Sequence, residues 1–333
     1  MKNSEILFIY EAVMCNPNGD PDEENKPRMD YVTERNLVSD VRLKRYIRDY
    51  WQAKGKEVFV SKVEGETVDA TQKIAYACVQ EVIRNPNDYS EELVNMAKER
   101  ENEWKDMREN DLYKFLKEID VRDLFIDIRT FGAVLPLKGA EGRKGASDSY
   151  TGPVQFNWGY SLNRAEIVES SSITSTFAGR TNRGDQQYGT IGKDWRIYYS
   201  LIAFWGVVSS RWAENTHMTE GDLKELEEAM IKAIPLWVTR TKVNQRPLLY
   251  MRIEYNDGET LMGDKRHLLK CSPDTDIRSV KDYKLDIEAL VREIEENERI
   301  NKVYYWCNEE LTLSPEISSK NDKFSKLLLQ EGE

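Results

Sequence analysis

Histidine is scarce in this chain, since the 333 residues include only two, His217 and His267. A serine or cysteine hydrolase that uses histidine as its general base would depend on one of these two side chains. His217 precedes a predicted helix, and His267 lies in a charged stretch without a nucleophile motif beside it. The sequence therefore gives no support to histidine-dependent hydrolysis.

Cysteine is also scarce, and no two cysteines form a C-x-x-C pair. The four are Cys15, Cys78, Cys271 and Cys307. Structural zinc sites and redox-active dithiols generally need closely spaced pairs. We therefore expect four reduced thiols, no metal ion and no cofactor, as is usual for a cytoplasmic protein.

Long apolar segments are lacking as well. No run approaches the roughly 20 apolar residues that a membrane span needs. The first twenty residues have neither the basic start nor the small-residue cleavage site of a signal peptide. We predict a cytoplasmic protein that does not bind membranes.

Charge is abundant and unevenly distributed. The formal net charge is −11, from 48 basic and 59 acidic residues, which does not favour a protein coated with positive charge. Two acidic blocks, residues 81–127 and 271–333, each carry a net charge of −6, so the rest of the chain sums to about +1. The segment from Lys26 to Arg48 contains seven basic residues and only three acidic ones. This pattern indicates an acidic exterior with a basic channel.

The order of predicted elements suggests an α+β fold. Residues 5–14 form an apolar run typical of a central strand, and the turn signal NPNGDP follows. We predict a helix over 33–53, charged helices over 68–120, and a strand over 123–137. Later segments alternate between strand and helix patterns. The order is compatible with a βαββαβ, ferredoxin-like unit with large insertions.

Several motifs occur in a characteristic order. NPNGDP is followed by KPRMDYVTERNLVSDVRLKRYIRDY, and then by DIRTFG at 127–132, GPVQF at 152–156, ITST at 173–176, GKD at 192–194 and Arg246-Pro247. This ordered set resembles the crRNA-binding backbone subunit of type I CRISPR effector complexes. That subunit is the repeated RAMP-superfamily protein of Cascade, and the likeness is to its I-B and I-C branches. The likeness extends over roughly residues 5–258.

The resemblance implies a hand-shaped protein with an RRM-like palm, a helical insertion called the fingers and a β-hairpin insertion called the thumb. The expected boundaries are 1–54, 122–168 and 195–258 for the palm, 55–121 for the fingers, 169–194 for the thumb, and 259–333 for an acidic C-terminal segment. It also implies a non-catalytic subunit that polymerises along the crRNA and presents its bases to a target DNA strand. The expected partners are the crRNA, the target DNA strand, neighbouring copies of the chain, and the large and crRNA-end-binding subunits of Cascade.

A guide held for pairing must be bound through its phosphates, because its base edges must face the target. The resemblance places the phosphate-binding lysine at Lys44 with Arg45 beside it. We expect the neighbouring RNA contacts on the same helix from Ser39, Arg42 and Arg48, with Arg28 in the basic cluster before it. The alternative is that these charges form salt bridges within the helix, such as Asp40 with Lys44 and Arg45 with Asp49.

Two glycine-rich segments carry the remaining candidates. The loop after residue 137 offers Lys138, Arg143 and Lys144, and its backbone could approach a phosphate closely. It could equally be an ordinary flexible loop. In the predicted thumb, Arg180 and Arg183 are candidate RNA ligands. Phe177 or Tyr188 could stack beside a displaced base, or could pack within the hairpin.

Two competing functions remain open. Related type III backbone subunits cleave target RNA with a metal-dependent aspartate in a loop near the first helix. Asp30 or Asp40 would be the corresponding residue in a ribonuclease of this kind. The other possibility is a protein scaffold that binds no RNA, which the net charge favours and the basic clusters oppose.

Overall fold

A computed structural model describes residues 1–135, 148–174, 191–317 and 322–328, and it has the predicted α+β composition. None of the helices in these ranges combines the length and the hydropathy that crossing a membrane would require. The helices are α1 Asp40–Ala53, α2 Ala70–Arg84, α3 Glu91–Arg100, α4 Glu109–Glu118, α5 Val121–Leu124, α6 Ile126–Phe131, α7 Ser210–Thr216, α8 Glu220–Leu236 and α9 Glu288–Glu296.

The strands range from two to twelve residues. They are β1 Ser4–Cys15, β2 Gly19–Asp20, β3 Lys26–Pro27, β4 Met29–Asp30, β5 Arg35–Val38, β6 Gly132–Leu135, β7 Asp148–Thr151, β8 Val154–Phe156, β9 Gly159–Ser161, β10 Ser172–Thr174, β11 Ile191–Lys193, β12 Ile197–Val208, β13 Gln245–Tyr255, β14 Lys270–Ser272, β15 Lys284–Asp286, β16 Ile300–Cys307, β17 Leu313–Ser314 and β18 Phe324–Lys326.

The chain divides into two compact units. The first unit comprises Met1–Asn3, Ile47–Gln155 and Val207–Ala229, and the second comprises Ser4–Tyr46, Phe156–Gly206 and Met230–Glu333. Each unit is therefore assembled from segments that are distant in sequence.

The second unit is built on a large sheet with the strand order β18-β16-β13-β1-β12-β9-β5-β4. Strand β1 is central, as its continuous apolar run predicts, and pairs antiparallel with β13 from Ser4 opposite Glu254 to Ala12 opposite Gln245. One register shift occurs between Ile9 and Tyr10. The core on this sheet includes Leu7, Leu249 and Leu290, so the acidic C-terminal segment contributes buried residues as well as charge.

The first unit has a separate core formed mainly by helices. Asp69 and Gln72 form a capping box at the start of α2, which fixes where this helix begins. Its buried face packs in a cluster with Trp104 and Phe115, both less than 5% exposed. The prediction that residues 68–120 are helical is thus confirmed, and the structure divides this segment into the three helices α2, α3 and α4.

Two sequence predictions were wrong in detail. Residues 123–137 were predicted as a strand, yet most of the described part forms α5 and α6 before the short strand β6. Phe125, Ile128 and Phe131 recur at i, i+3 and i+6, so the same apolar residues also satisfy a helical period. The first helix was predicted to begin at 33, whereas β5 occupies Arg35–Val38 and α1 begins only at Asp40.

Candidate nucleic-acid interface

The start of α1 is held by the turn that follows β1. Asn18 Oδ1 accepts hydrogen bonds from the backbone N–H of Ser39 at 2.9 Å and from its hydroxyl at 3.0 Å. Ser39 Oγ in turn lies 3.4 Å from the backbone nitrogen of Arg42, as in an N-cap. The NPNGDP turn therefore positions the basic helix. The candidate ligand Ser39 is only 6% exposed, and its hydroxyl is engaged in this cap.

Apolar residues recur along α1 at the spacing of one helix face, and this stripe of Leu43, Tyr46, Ile47 and Tyr50 is at most 5% exposed. The basic residues do not form one exposed face. Arg45 is exposed, whereas Lys44 is 8% exposed and pairs with Asp40 at 3.2 Å. This is the intrahelical salt bridge that the alternative interpretation predicted.

Arg48 is engaged in the first unit. Its Nε donates to Asp127 Oδ2 at 2.8 Å, and that carboxylate also accepts from the backbone nitrogens of Phe59 and Val60. Asp127 is 1% exposed, so Arg48 compensates a buried negative charge.

Arg42 has a different environment from the other α1 cations. Its guanidinium lies over the Tyr46 ring, 3.9 Å from the ring centre, which holds it in place by a cation–π contact. Its Nε and Nη2 atoms are enclosed and have no hydrogen-bond partner. Among the residues that the structure describes, no carboxylate pairs with it.

Arg28 lies near the same turn. Its Nη1 pairs with Asp20 Oδ2 at 2.9 Å, and its guanidinium carbon lies 5.6 Å from the centre of the Trp158 ring. Its Nε atom is buried and has no hydrogen-bond partner. Trp158 is 47% exposed. A cation beside an exposed indole could contact both a phosphate and a base.

Sequence reasoning missed a basic loop that precedes β13. Lys242 Nζ donates to the backbone oxygen of Asn16, at the end of β1. Burial, followed by the nearby Arg42, lowers the pKa of Lys242 to about 8. No motif marks this lysine, because Lys242 and Arg42 lie far apart in the sequence and only the fold brings their charges near each other.

The two aspartates considered for metal-dependent cleavage have other contacts. Asp30 accepts from Val32 N, Thr33 N and the Thr33 hydroxyl, and the hydroxyl bond is the largest cause that lowers its pKa. Asp40 pairs with Lys44. Across the four described ranges, the one cluster with metal-ligand spacing is Asp120, Asp123 and His217, which contains neither of them.

Six candidates lie outside the described residues. They are Lys138, Arg143, Lys144, Phe177, Arg180 and Arg183, and Tyr188 lies there as well. The nearest described elements are β6 and β7 around the first group and the antiparallel pair β10 and β11 around the second.

Comparison with known proteins gives consistent matches. Residues 2–288 match the profile of a family described as "CRISPR-associated protein Cas7". A protein of the same description from Haloferax volcanii is 33% identical over 313 residues, which cover 89% of this chain and 83% of that protein. A chain of a solved structure described as "CRISPR RNA-guided surveillance complex, pre-nicking" is similar in fold, with a TM-score of 0.54 at 12% identity over 98% of this chain and 96% of that one.

Proposed function

The chain belongs to the CRISPR-associated protein Cas7 family, and we propose that it is a non-catalytic, crRNA-binding backbone subunit of a type I CRISPR effector complex. In this role, copies of the chain polymerise along the crRNA and hold its phosphates, which leaves the base edges free to pair with a target DNA strand. The partners are then the crRNA, neighbouring copies, the target strand and other Cascade subunits, in the cytoplasm.

The proposal includes a palm with two insertions. Strand β1 lies between β13 and β12, and β9 follows β12; this order, with α1 after β1 and α8 before β13, supports a βαββαβ palm. Helices α2, α3 and α4 support a helical insertion as the fingers. The pairing of Ser172 with Lys193 supports a hairpin base for the thumb.

Two nitrogens of the Arg42 guanidinium, Nε and Nη2, have no hydrogen-bond partner, and this is the observation that carries the assignment to RNA. A buried cationic nitrogen without a hydrogen-bond acceptor is unfavourable, and a phosphate oxygen would remove that cost. Phosphate contact is independent of base identity, as a subunit that accepts any guide sequence requires. Exposed Arg45, one turn along α1, is the second cation that we assign to this contact.

The other α1 cations have structural roles in this proposal. Lys44 and Arg48 hold Asp40 and Asp127. They fix the helix that presents Arg42 and Arg45, as a rigid support for a binding surface requires.

The test is RNA binding by an Arg42→Ala, Arg45→Ala double variant. Binding of labelled single-stranded RNA to the purified chain is measured between 50 and 200 mM salt, with two guides of unrelated sequence. Each phosphate contact that is lost should lower the slope of log K against log salt by about 0.7, so the double variant should lose about 1.4. The loss should be equal for both guides.

An Arg292→Ala, Lys114→Ala variant is the matched control, because both side chains are about half exposed or more and each is paired with a glutamate. It removes the same charge away from α1 and should leave the slope near that of the unaltered chain. Absence of RNA binding by the unaltered chain, or of co-purified guide in its assembly, would contradict the proposed function.

A further inference from the structure

We propose that Lys242 joins Arg42 in a binding site for one phosphate group of the guide RNA. This inference rests on the proposed function and adds a residue, from a different part of the chain, to the surface that α1 presents. The site is formed where the loop between α8 and β13 meets the end of β1.

The loop that carries Lys242 has a defined backbone. The N–H groups of Lys242 and Val243 donate to the oxygen of Thr239 at 3.0 and 3.1 Å, which closes a turn. Asn16 N donates to Thr241 O at 2.9 Å, so the turn is fastened to the residue that follows β1. Lys242 is therefore placed by backbone bonds, as a binding residue needs to be.

A short chain of contacts joins Lys242 to Arg42. Gln245 donates from Nε2 to the backbone oxygen of Lys242 at 3.1 Å and accepts from the Tyr46 hydroxyl at 3.3 Å. The ring of Tyr46 lies under the guanidinium of Arg42. Gln245 and Tyr46 thus link the backbone of Lys242 to the guanidinium of Arg42, and the charge of Arg42 acts on the Lys242 ammonium group.

The charges around this pair are positive. Within the part of the chain that the structure describes, neither Lys242 nor Arg42 forms an ion pair with a carboxylate. Two further arginines, Arg196 and Arg240, share the single carboxylate of Asp194 at 3.0 and 3.3 Å. Four cations beside one carboxylate leave an uncompensated charge that favours an anion.

The remaining groups that face the site do not compensate this charge. Burial raises the pKa of the Cys15 thiol to about 12, so it is neutral near pH 8. Glu11, which acts on Cys15, is engaged by Arg246 and the Tyr199 hydroxyl. The Tyr10 hydroxyl, which Arg42 influences, is enclosed without a partner.

A phosphate fits these donors better than other groups do. An ammonium and a guanidinium together offer hydrogen bonds in several directions, and a phosphate accepts through several oxygens.

Protonation of Lys242 is coupled to phosphate binding under this proposal. The free site holds a lysine whose pKa is about 8, and a bound phosphate raises that pKa, so binding takes up a proton above pH 8. RNA affinity should then be constant below about pH 7 and fall by up to about tenfold per pH unit above pH 8.

The experiment compares the full chain with Lys242→Met, Lys242→Arg and, as a control, Lys284→Met. Lys284 is an exposed lysine in β15, outside the proposed site. Binding of labelled single-stranded RNA is measured from pH 6.5 to 9.5 and from 50 to 200 mM salt. Thermal unfolding of each variant is recorded in parallel.

Lys242→Met should lower the salt slope by about 0.7 and remove the fall in affinity above pH 8. Lys242→Arg should keep the slope and bind equally well at pH 7 and pH 9, because arginine stays protonated. Lys284→Met should match the unaltered chain in both respects.

The inference is overturned if Lys242→Met retains the salt slope and the pH profile while the unaltered chain binds RNA, and the proposed function then stands. If Lys242→Met does not fold, the test is the comparison of RNA binding against pH between the unaltered chain and Lys242→Arg. Identical pH profiles for those two would exclude Lys242. If the unaltered chain binds no RNA, both proposals are lost.

Discussion

Arg48 and Asp127 form an ion pair in which the carboxylate is 1% exposed and the arginine side chain 13% exposed. The two residues are 79 positions apart. From the sequence, Arg48 is a candidate RNA ligand, and Asp127 is the first residue of the DIRTFG motif. Their contact shows that part of this motif serves the fold, because Asp127 also caps the backbone at Phe59 and Val60.

Asp127→Ala should destabilise the protein by about 3–5 kcal/mol, since it leaves the Arg48 guanidinium largely buried and without its carboxylate. Urea unfolding followed by circular dichroism measures this change. Glu288→Ala is the control, because it breaks the exposed Glu288–Arg292 pair and should cost less than about 0.5 kcal/mol. Similar losses for the two variants would show that the Asp127 pair contributes no more than a surface pair.

Gly152 packs against the backbone at the junction of α6 and β6. A Cβ at this position would lie 2.0 Å from the carbonyl carbon of Phe131 and 2.3 Å from the nitrogen of Gly132. Because backbone cannot move aside as a side chain can, Gly152→Ala should cost about 1–3 kcal/mol or more. Gly221→Ala within α8 should cost much less, because its Cβ would meet only the Thr219 hydroxyl oxygen, at 3.3 Å, and alanine favours a helix. Equal unfolding midpoints for the two variants would contradict this packing argument.

The carboxylate of Glu5 is fully buried and accepts four hydrogen bonds. The donors are Trp205 Nε1, the Tyr255 hydroxyl, and the backbone nitrogens of Met262 and Gly263. Glu5→Gln replaces one acceptor oxygen with a donor, so we expect a loss of about 2–3 kcal/mol in unfolding free energy. Exposed Glu309 provides the control, because Glu309→Gln should leave the urea midpoint unchanged. An unchanged midpoint for Glu5→Gln would mean that the cluster tolerates an amide.

Lys44 and Arg45 should differ in their effect on RNA binding. Arg45 is exposed, whereas Lys44 is 8% exposed and paired with Asp40. Arg45→Met should therefore lower the salt slope of RNA binding by about 0.7, and Lys44→Met should lower it by much less. Filter binding at four salt concentrations measures both slopes. Equal slopes for the two variants would show that Lys44 leaves Asp40 to contact RNA.

Local sequence patterns predicted several elements correctly. The apolar run of β1 marked a central strand, and the stripe of Leu43 and Ile47 marked the buried face of α1. Thr219-x-x-Asp222 has the spacing of a capping box, and each side chain bonds the other's backbone nitrogen at the start of α8. Such features depend on neighbours within a few residues, which a sequence displays directly.

Features that depend on distant residues were missed. The apolar residues around Ile128 fit a strand and a helix equally well, and only packing in the first unit selects the helix. The Asp40–Lys44 pair was one of the sequence alternatives because its spacing is local, whereas the burial of Lys44 depends on what packs against α1. Lys242 lies 200 positions after Arg42 in an unremarkable loop, so no spacing rule could have joined the two.

The central position of β1 has a consequence for synthesis of the chain. Ser4 pairs with Glu254, so one neighbour of this strand is translated about 250 residues later, or roughly 12–50 seconds at about 5–20 residues per second. During that interval an apolar strand has an open edge, which is a template for association with other chains. The apolar strand β1 is thus exposed to association with other chains until β13 is synthesised and completes the sheet.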